Sequence, residues 1–156
     1  MKPKFKQIAR RQLDTTLAKF VEAGRVQAPA KGWIRAVREA LGMSGKQLAN
    51  RLQVSQPRVF KLEQGEPSGA LTLKTMRQVA EALDCVFVYA LVPRSSLEET
   101  VRKQARVVAG ERLLRVSHTM LLEAQGLSPA EQQASLDAAI EELVRETPTD
   151  LWDMQP

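Results

Sequence analysis

The sequence of 156 residues is poor in the side chains that most catalytic and metal sites require. It has one cysteine, Cys85, and one histidine, His118. A lone cysteine excludes an internal disulfide and suits a reducing compartment. One histidine and one cysteine cannot build a usual zinc site. No nucleophilic side chain stands at a sequence spacing from a general base that would indicate a catalytic pair. We therefore expect no enzyme activity, no cofactor and no metal, and a cytoplasmic location.

Long apolar runs and aromatic residues are scarce as well. The longest apolar run covers residues 85–92, whereas a membrane-spanning helix needs about 20 residues. We therefore expect no contact with a membrane. Aromatic residues make up 4% of the chain, which is too few for a surface on which single-stranded nucleic acid stacks.

Charge is unevenly distributed along the chain. Residues 1–94 carry 17 Lys and Arg against 7 Asp and Glu, whereas residues 95–156 carry 6 against 11. A basic front half and an acidic back half suggest two partners of opposite charge. The alternative is a pair of ordinary solvated surfaces.

The periodicity of apolar residues, and the Gly and Pro residues that interrupt it, predict an all-α protein with one β-strand. A first amphipathic helix is expected over roughly residues 5–23, and short helices separated by tight turns follow between Trp33 and Leu83. Two longer helices after Pro93 precede a tail from Thr147 that we expect to be loose. The first of them repeats apolar residues that we expect in a core: Leu97, Val101, Ala105, Val108, Val116 and Met120. The predicted domains are 1–31 (N-terminal helix and loop), 32–84 (DNA-binding), 85–93 (dimerisation strand) and 94–156 (C-terminal helices for a dimer or partner).

The stretch from Met43 to Glu63 predicts two short helices joined by a tight turn. Ser44 and Gln47 can form a capping box, and Met43 and Leu48 can form a hydrophobic staple. Ala49 is small where the second helix would approach most closely. A shared apolar seam is expected from Leu48, Leu52, Val54, Val59 and Leu62. This spacing is typical of a helix-turn-helix.

The second of these helices has the side chains that read a DNA major groove. Ser55 is expected to cap it, with Pro57 tolerated in its first turn. Arg58 can bind guanine, Gln56 can bind adenine, and Lys61 can bind a base or a phosphate. The expected DNA-binding residues are Ser44, Lys46, Gln47, Ser55, Gln56, Arg58 and Lys61. The alternative is a helical hairpin with a solvated polar face.

Residues 33–81 resemble the Cro/repressor class of helix-turn-helix domains, through "MSGKQLANRLQVSQPRVFKLEQG" and "LTLKTMRQVAEAL". The resemblance implies a structural ion pair between Arg38 and Glu63. The chain departs from the class at Gln53, where the class usually has a left-handed Gly, and at Pro57, a position often used for a base contact.

Four segments also resemble the mobile mystery protein A family: "QLDTTLAKF", "GWIRAVREALGMS", "AEALDCVFVYALVP" and "SHTMLLEAQ". That resemblance implies a partner protein with a Fic domain, an adenylyl-transferring fold, and an antitoxin-like role. Thr119 and Glu123 have the spacing of a helix that restrains Fic enzymes, although Ala124 replaces the usual Gly or Asn. The alternative function is therefore a protein-interaction module that binds and inhibits a Fic-type adenylyltransferase.

The predicted strand is apolar on both faces and has no second strand to pair with. We expect it to pair antiparallel with its copy in a homodimer. The residues expected at this interface are Val86, Phe87, Val88, Tyr89 and Leu91. The alternative is a strand packed against the first helix. The function that follows is a repressor that binds an inverted repeat in double-stranded DNA.

Overall fold

The computed structural model describes residues 2–122 and 127–153, with the backbone alone at Ser117 and 120–122. The described residues form seven α-helices and no β-strand. The helices are α1 (Pro3–Ala18), α2 (Trp33–Ala40), α3 (Gly45–Leu52), α4 (Gln56–Gly65), α5 (Leu73–Ala82), α6 (Leu97–Leu122) and α7 (Pro129–Glu146). None of them combines the length and the apolar character that crossing a bilayer requires.

The chain divides into two compact units. The central unit, Ala23–Ala90, contains α2 to α5. The terminal unit combines the residues up to Glu22 with those from Leu91 onward, so it contains α1, α6 and α7. The N-terminal helix therefore packs with the C-terminal helices, although more than 70 residues separate them in the sequence.

The core of the central unit brings together side chains from α2 to α5. Its buried members are Ile34, Leu48, Ala49, Val59, Leu62, Val79 and Leu83. Met43 and Leu52 pack against this core, so most of the predicted seam between α3 and α4 forms. Val54 was expected in the seam, but it is exposed, because it lies in the turn between the two helices rather than on either of them.

The turn between α3 and α4 requires a left-handed residue. Gln53 has φ 56° and ψ 40°, and its N–H bonds to the carbonyl oxygens of Ala49 and Asn50. A Cβ in this conformation lies too close to the following carbonyl, which costs about 1–2 kcal/mol. The central unit therefore accepts local strain at the point that fixes the crossing of the two helices.

The prediction of a strand at 85–92 is wrong for the single chain. After α5, the N–H of Cys85 bonds back to the carbonyl oxygen of Ala80 over 2.8 Å, and residues 85–93 have no regular secondary structure. The physical reason is that a strand exists only through a hydrogen-bonded partner strand, and the described chain supplies none.

The terminal unit is built around α6 and α7. Its core consists of Val101, Ala105, Val108, Ala109, Ile140, Leu143, Val144 and Leu151. Val116, expected in this core, is exposed, and the side chain of Met120 lies outside the described residues. The tail was expected to be loose, but Thr149–Trp152 forms a short 3₁₀ helix whose Leu151 is fully buried. Gln104 Nε2 also donates to the carbonyl oxygen of Leu151 over 2.9 Å, so an apolar and a polar contact hold this helix.

Helix α1 is attached to the terminal unit by polar groups rather than by its apolar residues. Arg10 is buried, and its guanidinium donates to Glu98 Oε2 (2.8 Å), Thr147 Oγ1 (2.6 Å) and the carbonyl oxygen of Val144 (2.9 Å). Asp14 accepts the N–H of Leu97 over 2.7 Å at the start of α6. The expected apolar face is instead exposed at Phe5, Ile8 and Leu13, since the ion pair turns the other face inward.

We expect Gln53→Gly to stabilise the central unit by about 0.5–1 kcal/mol, because relief of left-handed strain exceeds the added entropy of the unfolded chain. The matched control is Gln78→Gly, which puts the same change in right-handed helix and should destabilise by about 1 kcal/mol. Urea unfolding in a Trp152→Phe background would be followed by the fluorescence of Trp33, the tryptophan of this unit. Equal effects of both changes would contradict the assigned strain.

We expect Arg10→Ala to destabilise the terminal unit by about 2–3 kcal/mol, because it leaves Glu98 without this donor and removes the guanidinium's bonds to Thr147 and the Val144 carbonyl. The adjacent Arg11 is exposed, so Arg11→Ala should stay within about 0.5 kcal/mol of the parent. In a Trp33→Phe background, the fluorescence of Trp152 reports this unit. A stability loss shared equally by the two variants would show that Arg10 is no anchor.

Candidate nucleic-acid interface

The first helix of the motif, α3, begins with the predicted capping box. Ser44 Oγ accepts the N–H of Gln47 over 3.2 Å, and Gln47 Oε1 accepts the N–H of Ser44 over 2.7 Å. The first amides of any helix lack acceptors within that helix and carry its positive dipole end. Lys46 is exposed beside them. This helix end can therefore bind a phosphate group.

The second helix, α4, has one buried face and one exposed face. Val59, Leu62 and Glu63 are buried, whereas the three residues expected to read bases, Gln56, Arg58 and Lys61, are exposed. None of these three polar side chains is covered by another part of the described chain. The helix thus presents an amide, a guanidinium and an ammonium group to solvent from its first two turns.

Ser55 stands at the N-cap of α4, but its side chain makes no capping hydrogen bond, contrary to expectation. A capping side chain bonds to the N–H of the second or third helical residue. The second residue here is Pro57, which has no N–H, and the N–H of the third, Arg58, bonds to the carbonyl oxygen of Ser55 over 3.0 Å. The exposed Ser55 hydroxyl is therefore left for another acceptor or donor.

An ion pair joins α2 to the C-terminal part of α4. Arg38 Nε donates to Glu63 Oε1 over 2.5 Å, and Arg38 Nη2 donates to Glu63 Oε2 over 3.2 Å. The hydrogen bond to Glu63 raises the pKa of Arg38 above its ordinary value. Arg38 Nη1 also donates to the carbonyl oxygen of Met43, 2.8 Å away, just before α3. One guanidinium thus links the three helices of the motif region.

Glu66, which follows α4, holds the opposite end of α2. Its Oε1 accepts the N–H of Trp33 and its Oε2 accepts the N–H of Ile34, both over 2.8 Å. Gly32 precedes α2 with φ +82°, and a Cβ there would lie 2.7 Å from Glu66 Oε2, so only glycine fits. This contact was not expected from the sequence; the glycine before a helix without a capping side chain was the available signal.

The two flanks of α4 differ in chemistry. Arg58 lines a cleft of about 550 Å³ together with Arg51, Gln53, Thr75 and Gln78, which is a mainly polar surface. On the other flank, Phe60 lines a cleft of about 330 Å³ together with Lys31, Arg35 and Gln64. Both clefts border the face that carries the predicted base-reading residues. Cations therefore lie on each side of α4.

Positive charge is concentrated in the central unit. This unit has 10 Lys and Arg against 5 Asp and Glu, whereas the terminal unit has 13 of each. The contrast is weaker than between the front and back halves, because the basic residues of α1 offset the acidic residues of the C-terminal helices within the terminal unit. A basic surface around α3 and α4 attracts the phosphate backbone of a nucleic acid.

The residues predicted for dimerisation lie at the end of the central unit. Val86, Val88 and Tyr89 are exposed and Phe87 is half-buried; Leu91 begins the terminal unit and is also exposed. The Phe87 and Tyr89 rings stack with centroids 6.0 Å apart. Residues 85–88 border an apolar groove of about 360 Å³ between α2 and α5.

The pair predicted to inhibit a partner enzyme is only partly described. Thr119 is exposed on α6, and its hydroxyl donates to the carbonyl oxygen of Arg115 over 3.1 Å. Glu123 lies outside the described residues. Within the described ranges, no three His, Cys, Asp or Glu side chains are grouped so that they could hold a metal ion.

Comparison with known protein families gives a match in the central unit. Neither the curated proteins nor the solved structures include one that matches the chain significantly. Residues 34–87 match a family model described as helix-turn-helix (HTH_3), a DNA-binding family that is not typically enzymatic. The match supports a Cro/repressor-like helix-turn-helix of the XRE type in the central unit and a DNA-binding regulator.

Proposed function

We propose that this protein is a repressor that binds an inverted repeat in double-stranded DNA as a homodimer. The observation that carries the proposal is the exposure of Gln56, Arg58 and Lys61 on α4. The C-terminal end of this helix is fixed to α2 by two carboxylates, Glu63 and Glu66. A rigid helix that projects such groups can enter a major groove without rearrangement of its backbone.

Each exposed group has a role in this proposal. Arg58 binds guanine O6 and N7, Gln56 binds adenine N6 and N7, and Lys61 binds a base or a nearby phosphate. Lys46 and the first amides of α3 bind the backbone and fix the register of the helix on the duplex. Affinity then falls steeply with salt, because each neutralised phosphate releases counterions.

The homodimer in this proposal is supported by the exposed apolar segment 86–91. Val86 is 87% exposed and Leu91 is 90% exposed, and burying such side chains against a second copy gives about 25 cal/mol per Å². A twofold pair of central units presents two copies of α4 to sites roughly 34 Å apart, one turn of DNA. An inverted-repeat operator follows from that symmetry.

The proposed regulatory context is an operon that encodes a Fic-domain protein, with this chain as its antitoxin-like repressor. Its support is the resemblance of four segments to the mobile mystery protein A family. A gel-shift with the DNA upstream of the gene, with and without the neighbouring protein, tests it. Inhibition of an adenylyltransferase without any bound DNA would favour the protein-interaction module instead.

We expect Arg58→Ala to weaken operator binding by about 1–3 kcal/mol and to relax base preference at one position. Lys46→Ala should weaken binding to all duplexes similarly and reduce the salt slope by about one. Fluorescence anisotropy across a salt series, with the operator and a scrambled duplex, measures both effects. Lys103 is exposed on α6 in the terminal unit, so Lys103→Ala is the control and should bind as the parent does. If the Arg58 and Lys46 variants both matched Lys103→Ala, the proposed face would be wrong.

We expect Val86→Asp to convert the homodimer to a monomer, because a carboxylate in the apolar interface must be desolvated. Light scattering at micromolar concentration measures the mass. Val26 is also exposed in the central unit, and Val26→Asp should remain a dimer. A parent protein that is monomeric in this measurement would remove the dimer from the proposal.

A further inference from the structure

Helix α4, the proposed recognition helix, exposes an aromatic ring among its polar side chains. Phe60 lies in the middle of α4 and is 57% exposed. A helix turns by about 100° per residue, so Phe60 lies beside Gln56 and Pro57, the residues four and three positions before it, and on the flank opposite Arg58. Pro57 is also exposed and, three residues before Phe60, is its neighbour on the helix surface. The DNA-facing side of α4 therefore includes an apolar patch.

We propose that Phe60, flanked by Pro57, recognises the C5-methyl group of a thymine in each half-site of the operator. This inference rests on the proposed DNA-binding function and makes its specificity more precise. The C5-methyl of thymine is the apolar group that standard bases present in the major groove. An exposed phenyl ring gains by covering it, because both apolar surfaces leave water.

The charges around Phe60 favour a nucleic acid over a protein as its partner. The cleft beside the ring is also lined by Lys31 and Arg35. The carboxylate in that cleft, Glu63, is buried and paired with Arg38. Arg35 is paired with Glu39 over 2.7 Å, so Lys31, which is exposed, is the cation beside the ring that Glu63 does not neutralise. An aromatic ring bordered by cations matches a base edge bordered by phosphates.

Phe60 is also poorly suited to a structural role. The core residues of the helix, Val59 and Leu62, are each at most 4% exposed, whereas Phe60 contributes to neither buried cluster among the described residues. Its position places it five residues into the helix, next to Lys61 and within the stretch that offers Gln56 and Arg58. The ring thus lies where base edges are read.

The test removes the methyl group from the DNA and the ring from the protein. Duplexes bound by the full chain are selected from a random pool, and each thymine of the selected half-site is replaced in turn by deoxyuridine, which lacks the C5-methyl. Loss of one buried methyl corresponds to about a fourfold loss of affinity per half-site. We expect this loss at one thymine position with the parent protein and none with Phe60→Ala.

Two variants serve as controls for this test. Phe5 is 58% exposed, slightly more than Phe60, but it lies in the terminal unit, so Phe5→Ala should keep the whole penalty for deoxyuridine. Phe60→Leu retains an apolar side chain and should keep part of it. Circular dichroism and light scattering on each variant establish that fold and mass are those of the parent.

The outcomes separate the inference from the function on which it rests. Specific duplex binding with no thymine sensitive to deoxyuridine, or with the same penalty in Phe60→Ala, overturns the thymine contact and leaves the DNA-binding function intact. Selection of no duplex at all overturns both. A change of mass in Phe60→Ala assigns the ring to a protein interface and overturns the thymine contact.

Discussion

The geometry of the proposed DNA-facing surface depends on two carboxylates at the C-terminal end of α4. Glu63 binds Arg38, and Glu66 binds the first amides of α2, so α4 is fixed against both ends of one helix. Both contacts join an ionised group to good donors, which makes them stronger than neutral hydrogen bonds. Because these contacts hold α4 firmly against α2, the exposed polar side chains of α4 project in a defined direction.

The turn and start of the recognition helix depart from local preference. Gln53 is left-handed without being glycine, and Pro57 removes the amide that Ser55 would otherwise cap. Natural proteins tolerate such departures mainly where function or packing compensates for them. The compensation here is the buried contact of Leu48 and Val59 across the motif, which stabilises the crossing despite the strained turn.

The terminal unit is organised by a different principle. Its helices α6 and α7 share an apolar core, but α1 is held by the buried guanidinium of Arg10. That arrangement leaves apolar side chains of α1, such as Phe5 and Ile8, exposed to solvent. Together with the exposed apolar residues of segment 86–91, it leaves apolar side chains exposed in both units.

The sequence by itself determined the helices, because capping residues and apolar periodicity act locally: α3 begins with the capping box that Ser44 and Gln47 predict. Only the tertiary structure decided the longer-range relations. The buried face of α1 depends on Glu98 and Thr147, and the fixing of α2 depends on Glu66, all far away in the chain. The strand at 85–92 failed for the same reason, since periodicity shows that a segment can pair but a ladder needs a second strand in space.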